Sequence, residues 1–524
     1  MKSKIQQCAW QAWGLDSMIH DPKKLTMSLN KLLAGFANSA LIIDTEVCGL
    51  ANDNRKVKPG YLFFACRGLS VHGKDFISAA IAAGATAIAL ETDSVEEALE
   101  ISVKHGSIPV IAINDLSDKL GFIASRFYDD PSKQFSLIGI TGTNGKTSVA
   151  HLTAQCLNSK QHACGVLGTL GAGVWGNVQA IQHTTPDALE LQYWLFKMHQ
   201  QSAAYVAMEV SSHGLDQGRV NACQFDVAVF TNLTRDHLDY HGDIQSYGNS
   251  KLKLFKRPEL TKVVVNLDDP YTNTIISNLS SHVDVVGITL NPGLKVEGVK
   301  VVSAMNICMG QLGLEFDISS PWGDAHLQSH LLGDFNVSNL LSVLAVALLL
   351  DFPLQDVVEK LSNVRAPAGR LESFGSDESP LVVVDYAHTP DALEKVLLTL
   401  QAHAKGKLFV LFGCGGDRDQ GKRAKMGALA EKIADVVWLT DDNPRTEKSQ
   451  RIIEDILVGI KNPQLITVNT DRRGAIEGII SAANSADDIV LIAGKGHEDY
   501  QIIGNERIDF SDRELVAQLV SEAA

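Results

Sequence analysis

The chain has 524 residues, of which 45% are hydrophobic and 20% are charged. This is an ordinary globular composition, and at roughly 150 residues per domain the length predicts about three or four domains, so disordered, collagen-like and repeat-rich classes are disfavoured. The 46 basic and 61 acidic residues give a net charge of −15, which disfavours a protein that coats nucleic acid or an anionic membrane.

The cysteines and the apolar segments predict a cytoplasmic protein. The eight cysteines include no C-x-x-C pair, and scattered single cysteines are typical of a reducing compartment. The N-terminal segment Met1–His20 has no continuous apolar stretch of the kind found in secretory signals. The longest apolar stretch, Leu340–Leu350, is too short to span a bilayer and predicts a buried helix.

The first segment, residues 1–113, is predicted to form a small α/β unit. Tyr61–Ala65 follows a Pro-Gly turn and has the composition of a strand. The Ala- and Ile-rich stretch Asp75–Ala83 predicts a helix that Gly84 ends, and Ala85–Leu90 predicts another strand.

The second segment, residues 114–365, is predicted to contain a largely parallel sheet. Its apolar runs carry polar residues at their C-terminal ends, which is where open α/β sheets bind ligands. The predicted strands are Phe135–Thr141, Tyr205–Val210, Val227–Leu233 and Lys262–Asn266.

The third segment, residues 366–524, alternates strands and helices in a doubly wound, Rossmann-like pattern. The predicted strands are Leu381–Val384, Leu408–Phe412, Val436–Thr440 and Ile489–Ala493, and the predicted helices are Ala392–His403, Lys422–Ala434 and Gln450–Ile460. The fold class predicted for the whole chain is therefore α/β.

The segment Thr141–Thr147 has the residues of a phosphate-binding loop between a strand and a helix, which is expected to begin near Ser148. Glycines let backbone N–H groups approach phosphate oxygens, Lys146 supplies a positive charge, and the Thr147 hydroxyl can ligate Mg²⁺. The generic pattern has glycine six positions before the lysine, whereas this chain has Ile140. The alternative is a glycine-rich turn with an exposed lysine.

Two polar clusters end neighbouring predicted strands beside this loop. Glu209 ends one strand, and His237 lies in the polar run after the next. Taken singly, each would be interpreted as a polar loop residue. Because Mg²⁺ prefers oxygen ligands, two such clusters next to a phosphate loop favour a metal site that includes Glu209.

The predicted strands of the third segment also end in polar clusters. Such clusters line the ligand crevice of an open α/β sheet, and the alternative is that they are surface loops. The clusters are Asp385–Asp391, Gly413–Asp419, Asp441–Arg445 and Gly494–Glu498.

Taken together, these strings resemble the Mur ligases, and the phosphate loop is also similar to that of folylpolyglutamate synthases. Both groups use ATP to make an amide from a carboxylate and an amine. The resemblance extends from about Asp53 to Asp512 and implies three domains. These are an N-terminal UDP-binding domain (1–113), a central P-loop ATP-binding domain (114–365) and a C-terminal Rossmann-like, amino-acid-binding domain (366–524).

The resemblance also implies roles for individual residues at the nucleotide site. The implied catalytic residues are Lys146, Glu209, His237 and Lys251, the last as a carbamylated N6-carboxylysine, and the implied Mg²⁺ ligands are Thr147, Glu209, His237 and Lys251. Without the resemblance, Lys251 would be a solvated helix lysine like Lys253 and Lys256. The implied ATP contacts are Gly142, Thr143, Asn144, Gly145, Lys146, Thr147, Ser148, Asn336, Asn339, Arg370, Asp385 and His388.

For the UDP-linked substrate, the residues that the family resemblance implies are Asn54, His183, Thr184, Thr185, Ser211, Gln217 and Arg219. The chain has Asp-Asn-Arg at 53–55, where relatives commonly have Asp-Ser-Arg. This departure bears on the uridine contact that Asn54 would make.

For the incoming amino acid, the string Asp442–Arg445 is the pattern that the family associates with meso-diaminopimelate. Diaminopimelate has a distal carboxylate that lysine lacks, and the Arg445 guanidinium offers a fork for it. Glu498 is able to meet an ammonium group. The implied contacts are Arg418, Asp442, Asn443, Pro444, Arg445, Gly494 and Glu498.

The implied function is an ATP- and Mg²⁺-dependent ligase of peptidoglycan precursor synthesis. It would add meso-diaminopimelate to UDP-N-acetylmuramoyl-L-alanyl-D-glutamate through an acyl phosphate, as a monomer without nucleic-acid or membrane partners. The alternatives are a lysine-adding or folylpolyglutamate synthase-like ligase, a nicotinamide oxidoreductase built on Gly413–Arg418, and a non-catalytic P-loop scaffold. The oxidoreductase is disfavoured because Arg418 stands where close packing needs a third Gly or Ala.

Overall fold

The computed structural model describes residues 25–37, 44–68, 71–106, 108–376 and 378–523. The chain forms two compact units. The first consists of residues 1–134, 187–196 and 217–223, and the second of residues 135–186, 197–216 and 224–524. The division into three domains at residues 113 and 365 stays a prediction.

A four-stranded parallel sheet forms the centre of the first unit, in the order β3 (Gly49–Ala51), β4 (Tyr61–Ala65), β5 (Ala85–Glu91) and β6 (Val110–Ile113). Consecutive residues of β4 point to opposite faces, so that Leu62 and Phe64 belong to one apolar cluster and Phe63 and Ala65 to the other. The elements are β1 (Met27–Ser28), α1 (Leu29–Leu33), β2 (Glu46–Val47), β3 (Gly49–Ala51), β4 (Tyr61–Ala65), α2 (Ile77–Ala82), β5 (Ala85–Glu91), α3 (Val95–Lys104), β6 (Val110–Ile113) and α4 (Leu116–Phe127).

The second unit begins with a larger sheet, and helix α6 (Ala188–Gln200) has residues in both units. The elements of this part are β7 (Ser136–Thr141), α5 (Lys146–Leu157), β8 (Ala163–Gly168), β9 (Gly171–Val174), β10 (Asn177–Gln179), β11 (Ala203–Glu209), α7 (Ser212–Asp216), β12 (Val227–Phe230), α8 (Leu238–His241), α9 (Ile244–Phe255), β13 (Lys262–Asn266), α10 (Thr272–Ile276), β14 (Asp284–Thr289), β15 (Lys300–Gly310), β16 (Gly313–Ser320), β17 (Gly323–Ser329), α11 (Phe335–Leu349) and α12 (Leu354–Ser362).

In this sheet, parallel strands form the middle and antiparallel strands extend both edges. The order within the described residues is β10-β9-β8-β11-β7-β12-β13-β14-β15-β16-β17, and the run from β8 to β15 is parallel. The predicted parallel sheet is therefore present, and the antiparallel strands β9, β10, β16 and β17 were not predicted. The predicted buried helix is α11, which covers the sheet next to α5.

The remaining strands of the second unit form a doubly wound six-stranded sheet and a separate antiparallel pair, β24 (Tyr500–Ile503) with β25 (Glu506–Asp509). The order in the six-stranded sheet is β18 (Glu372–Phe374), β19 (Leu381–Asp385), β23 (Ile489–Ala493), β20 (Leu408–Phe412), β21 (Val436–Leu439) and β22 (Thr467–Val468), and only β18 is antiparallel among these described strands. Apolar clusters cover both faces, as the alternation of strands and helices predicted. The elements are β18 (Glu372–Phe374), β19 (Leu381–Asp385), α13 (Pro390–His403), β20 (Leu408–Phe412), α14 (Arg423–Ile433), β21 (Val436–Leu439), α15 (Ser449–Leu457), β22 (Thr467–Val468), α16 (Arg472–Ala482), β23 (Ile489–Ala493), β24 (Tyr500–Ile503), β25 (Glu506–Asp509) and α17 (Asp512–Ala523).

Within the part of the chain that the structure describes, no helix combines the length and the apolar character needed to cross a bilayer. The cysteines in that part are all free thiols.

Candidate active site

The phosphate loop connects β7 to α5 through residues 142–145. Gly142 has a φ of +152°, and a Cβ at this position would overlap the hydroxyl of Thr231, so the backbone requires glycine here. Helix α5 begins at Lys146, two residues before the predicted start at Ser148. The N-terminal end of α5 therefore follows the loop directly, which is the arrangement that favours a bound phosphate.

The polar segment after β12 holds the loop in this conformation. Thr143 N–H donates to Asn232 O at 2.8 Å, and Asn144 N–H donates to Asn232 Oδ1 at 2.9 Å. The Thr231 hydroxyl donates to Asn144 O at 2.6 Å. Sequence reasoning did not assign Asn232 a role, although its position at the end of a strand adjacent to β7 was a usable signal.

Glu209 and Thr147 are brought together because β11 and β7 are neighbours in the sheet. The Thr147 hydroxyl donates to Glu209 Oε2 at 2.9 Å, and Thr169 N–H donates to Glu209 Oε1 at 2.7 Å. Glu209 is only 1% exposed, and its burial raises the pKa of its carboxyl group, while Lys146 opposes that rise. Thr169 was not predicted, because it becomes a neighbour of Glu209 only through sheet packing.

The donor set of Thr147 and Glu209 consists of oxygens, which fits Mg²⁺. This ion commonly takes one or two protein ligands and completes its shell with water and substrate phosphates. In the described residues, no group of three or more His, Cys, Asp or Glu side chains has the geometry of a metal site. His237 exposes 46% of its side chain, and its Nε2 lies 3.6 Å from Asp236 Oδ2.

Lys251 lies on α9 and reaches the phosphate loop. It is 1% exposed, its ammonium group donates to Gly142 O at 2.8 Å, and its Nζ lies 4.2 Å from the centroid of the Tyr247 ring. Burial and then the charge of Lys146 hold the pKa of Lys251 well below its ordinary value. The interpretation of Lys251 as a solvated helix lysine is therefore wrong, whereas Lys253 on the same helix is 50% exposed as that interpretation expected.

His237 and Lys251 have one neighbour in common, Tyr247. The His237 ring lies 5.9 Å from the Tyr247 ring and 5.0 Å from the ring of His213. Its backbone adopts a left-handed φ of 52° immediately before α8. The predicted grouping of His237 with Lys251 as metal ligands stays a prediction.

The predicted threonine pair lies next to Glu209. The hydroxyl oxygens of Thr184 and Thr169 are 3.0 Å apart, and the Thr185 hydroxyl donates to Glu209 O at 2.9 Å. Ser211 N–H donates to the Thr185 hydroxyl at 3.0 Å. These residues therefore lie close to Glu209. His183 is an exposed residue of the loop that contains Thr184 and Thr185.

The other residues predicted for the UDP-linked substrate belong to the first compact unit. Arg219 Nη2 donates to Gln217 Oε1 at 2.6 Å. Asn54 begins a short 3₁₀ helix, Asn54–Lys56, which the Asp53 side chain caps by accepting from Arg55 N–H.

Helix α11 carries the two predicted asparagines on the face that is turned toward the phosphate loop. Asn336 Nδ2 donates to Leu332 O at 2.7 Å, and Asn339 Nδ2 donates to Asn336 Oδ1 at 2.8 Å. Asn339 Oδ1 would be 2.9 Å from a Cβ built on Gly145, so α11 presents this amide directly to the loop.

The charge of Arg370 lowers the pKa of the Glu209 carboxyl, although burial of Glu209 has the larger and opposite effect. Its guanidinium carbon lies 5.6 Å from the centroid of the Tyr386 ring, and its buried Nε has no hydrogen-bond partner. Asp385 accepts from Leu371 N–H at 2.8 Å, and burial raises the pKa of Asp385. His388 Nδ1 and Tyr386 O are 2.8 Å apart.

The residues predicted to contact the incoming amino acid follow β20, β21 and β23. These strands are neighbours in the six-stranded sheet of the second unit. Arg445 Nη1 donates to Gly416 O at 2.8 Å. A Cβ on Gly415 would lie 2.9 Å from Arg445 Nη1 and 3.8 Å from Arg418 Cγ, so both arginines border the same glycine turn. Arg418 is exposed.

A second group of the residues predicted to contact the amino acid lies where β21 and β23 end. Asn443 Nδ2 donates to Glu498 Oε2 at 3.0 Å. A Cβ on Gly494, whose φ is +115°, would clash with Asp442 Oδ2 at 2.6 Å. Asp442 and Pro444 are buried, and burial raises the pKa of Asp442. The structure therefore brings together the residues that were predicted from three separate strand ends.

Comparison with known proteins assigns this arrangement to a family. Models described as "Mur ligase family, catalytic domain", "Mur ligase middle domain" and "Mur ligase, glutamate ligase domain" match residues 46–128, 140–347 and 369–496. The fold and the phosphate loop are thus those of amide-forming ligases that use ATP. The chain belongs to the Mur ligase family.

Individual relatives are more specific. The chain is 45% identical to the UDP-N-acetylmuramoyl-L-alanyl-D-glutamate--2,6-diaminopimelate ligase of Coxiella burnetii, over 91% of this chain and 96% of the relative. The ligase of the same name from Pseudomonas aeruginosa is 46% identical, over 94% and 97%.

Two solved structures are also similar to this chain, one at a higher sequence identity than the other. A structure named for the same diaminopimelate ligase matches with a TM-score of 0.69 and 36% identity, covering 91% of this chain and 95% of that one. MurF ligase from Thermotoga maritima in complex with ADP shares the fold, with a TM-score of 0.58 and 17% identity, over 90% of this chain and 96% of that one.

Proposed function

We propose that this protein uses ATP to join 2,6-diaminopimelate, in its meso form, to the D-glutamyl carboxylate of UDP-N-acetylmuramoyl-L-alanyl-D-glutamate. The observation that carries the proposal is a cluster of polar side chains at the strand ends of the six-stranded sheet. Its members are Arg445, Arg418, Asn443 and Glu498. It offers cationic groups for carboxylates and an anionic group for an ammonium. The curated relatives named for this reaction support the same substrate.

In the proposed reaction, ATP phosphates lie on the loop from Gly142 to Thr147. The γ-phosphoryl group moves from its bridging oxygen in ATP to an oxygen of the D-glutamyl carboxylate, which gives ADP and an acyl phosphate. The backbone N–H groups at the start of α5 and the charge of Lys146 stabilise the negative charge of the transferring group. Asn339 is proposed to bind the nucleotide because it lies beside this loop, and Arg370 is proposed as a further nucleotide contact because its charge acts on Glu209.

Mg²⁺ is proposed to be held by Thr147 and Glu209, with His237 and a carbamylated Lys251 as further ligands. When bound, the ion would neutralise phosphate charge that the protein's cations do not reach. The site supports this role because the Glu209 carboxylate and Thr147 hydroxyl are already in contact.

The amide bond would form in the second step. The neutral amine of diaminopimelate attacks the acyl carbon, the C–O bond to phosphate breaks, and the amine gives up its proton as phosphate leaves. Arg445 is proposed to bind the distal carboxylate, and Glu498 the distal ammonium group. Fixing both ends of the amino acid would aim its reacting amine at the acyl phosphate.

Among the residues proposed for the UDP-linked substrate, Thr184, Thr185 and Ser211 border Glu209, so the substrate carboxylate would be close to the γ-phosphate. His183, Asn54, Gln217 and Arg219 are proposed as further contacts. We also propose, from the family, that the protein works as a cytoplasmic monomer on these small-molecule substrates.

ADP release by the purified protein tests the proposed function. Turnover should require the UDP-linked dipeptide, ATP, Mg²⁺ and diaminopimelate together, and the product mass should equal the sum of the two joined substrates less water. ADP release that depends on lysine as strongly as on diaminopimelate would support the lysine-adding alternative. Dependence on a folate and glutamate would support the folylpolyglutamate synthase-like alternative.

A further inference from the structure

Lys495 is a buried cation in the loop after β23 that the proposed reaction leaves without a role. Its side chain is 0% exposed, and its ammonium group donates to Glu498 Oε2 at 3.2 Å and to Asn443 Oδ1 at 3.4 Å. Its Nζ also lies 5.3 Å from the centroid of the Tyr500 ring. Burying an ammonium group is unfavourable unless its partners compensate for the lost hydration.

The two polar partners of Lys495 come from different strand ends, and both are proposed contacts of diaminopimelate. Asn443 follows β21 and Glu498 follows β23, and Asn443 Nδ2 donates to the same Glu498 oxygen at 3.0 Å. Lys495 therefore closes a three-residue network that fixes the two side chains relative to each other.

The network leaves one oxygen of Glu498 for a ligand. Both donors contact Oε2, and no described residue donates to Oε1. Asn443 Oδ1 is occupied by Lys495 and by Ile502 N–H, which donates at 2.9 Å. The amide and the carboxylate therefore each have one defined orientation.

Lys495 also balances the charge of the cluster. Asp442 is buried nearby, and Lys495 is among the cations that lower the pKa of Asp442 against the larger effect of burial. The other cation close to Asp442, Arg472, already forms an ion pair with Asp512 at 2.7 Å. Without Lys495, the charge of Glu498, which raises the pKa of Asp442, would be compensated mainly by Arg472.

We propose that Lys495 is a positioning residue for the incoming amino acid, holding Asn443 and Glu498 so that Glu498 Oε1 meets the distal ammonium group of diaminopimelate. The inference rests on the proposed function. Because the Lys495 side chain is fully buried, it acts through Glu498 and Asn443 and does not touch the substrate.

A double-mutant cycle between Lys495 and Glu498 tests this inference. Lys495→Met keeps the length of the side chain and removes the charge, and Glu498→Gln removes the carboxylate. Each single change should raise the KM for diaminopimelate by roughly 10- to 100-fold, since each removes a charge-assisted contact. In the Glu498→Gln background, Lys495→Met should add less than about 3-fold, because contacting residues are not additive.

The KM for ATP separates positioning from general damage. It should stay near the wild-type value in Lys495→Met. Lys448→Met is the matched control, because Lys448 is an exposed lysine near Arg445 and should leave all constants unchanged. Lys495→Gln, which keeps a neutral donor, carries the same prediction if Lys495→Met does not fold.

Several outcomes would overturn the inference. Multiplicative effects of the two changes, an equal rise in the KM for ATP, or a Lys495→Met enzyme with wild-type constants would each do so. Failure of both Lys495 variants to fold would also count against it, because the cation would then be a structural requirement. A wild-type enzyme that does not use diaminopimelate would instead contradict the proposed function, and the inference with it.

Discussion

Lys146 and Lys251 donate hydrogen bonds to the same backbone oxygen, Gly142 O, at 3.0 and 2.8 Å. One lysine begins α5 and the other lies on α9, so the fold brings two cations to one carbonyl at the phosphate loop. Burial lowers the pKa of both lysines, and for Lys251 the charge of Lys146 adds to the effect. A buried lysine whose proton is weakly held supplies the neutral amine that carbamylation requires.

Carbamylation of Lys251 should therefore be detectable directly. With isotopically labelled bicarbonate, the wild-type enzyme should show a carbamate carbon signal by NMR that is absent from Lys251→Met. Lys253→Met should retain the signal, since Lys253 is half-exposed on the same helix and pairs with Asp216. A wild-type enzyme without the signal, or a signal that persists in Lys251→Met, would show that another group is modified or none.

The stability of Lys251→Met should reveal the lowered pKa of the wild-type lysine. As pH falls from the ordinary lysine value of 10.5, the unfolded chain binds this proton before the folded protein does. The contribution of Lys251 to the free energy of unfolding therefore decreases down to the folded-state pKa and is unfavourable below it.

In CO₂-free buffer at neutral pH, Lys251→Met should consequently unfold at an equal or higher denaturant concentration than the wild-type protein. When bicarbonate is present, the turnover of Lys251→Met should be lower than that of the wild-type enzyme by roughly 100-fold or more, the scale of losing one electrostatic group at a reacting centre. Marked destabilisation at neutral pH would contradict the unfavourable burial of the charge.

Arg445→Ala tests the guanidinium that is proposed to bind the distal carboxylate. Arg445 has a φ of 51°, and alanine has the same difficulty in this conformation, so the change removes the side chain without relieving backbone strain. The KM for diaminopimelate should rise by roughly 100-fold, because a bidentate ion contact is lost, while the KM for ATP stays unchanged.

Arg451→Ala is the control for that experiment, since Arg451 is an exposed arginine of the neighbouring helix α15. It should leave both KM values unaltered. An Arg445→Ala enzyme that keeps the wild-type KM for diaminopimelate would remove Arg445 from the substrate site.

The buried ion pair between Arg472 and Asp512 should contribute strongly to the stability of the six-stranded sheet, near the strand ends that carry the predicted amino-acid contacts. Both side chains are 0% exposed, and Arg472 also donates to Asp441 O and Ala493 O at the ends of β21 and β23. Asp512→Ala would leave a buried guanidinium without its partner, so the free energy of unfolding should drop by roughly 3–5 kcal/mol.

The adjacent pair Arg473 and Glu477 provides the comparison, because these side chains are 57% and 48% exposed. Glu477→Ala should lower the free energy of unfolding by less than about 1 kcal/mol, when both variants are measured by urea titration. Similar losses for the two changes would mean that burial does not set the strength of the Arg472 pair.

The strands that the sequence predicted well are those with uninterrupted apolar runs. Lys262–Asn266, Leu408–Phe412 and Ile489–Ala493 have the predicted bounds, because the central positions of parallel strands covered on both faces are apolar. Strand β16 was missed because it alternates, with Leu314, Phe316 and Ile318 buried between polar residues, and only a search for a two-residue period would find it.

The candidate site was predictable where its residues are neighbours in sequence or resemble family strings. Thr169 was not identified, and Lys495 was predicted only as a member of the cluster Gly494–Glu498 without a role of its own, because the roles of both depend on partners that the sheets bring close. The Lys251 side chain could be named from the family alone, whereas its burial against Gly142 follows from the packing of α9 on the loop. Long-range pairing of this kind leaves no local periodicity to detect.

Competition between two amino acids tests the central claim most directly. The purified enzyme is given UDP-N-acetylmuramoyl-L-alanyl-D-glutamate, ATP and Mg²⁺ with equal concentrations of diaminopimelate and lysine, and the products are weighed by mass spectrometry. The account predicts that the diaminopimelate product exceeds the lysine product by roughly 100-fold or more, because lysine leaves the Arg445 guanidinium unpaired. Comparable amounts of the two products would contradict it.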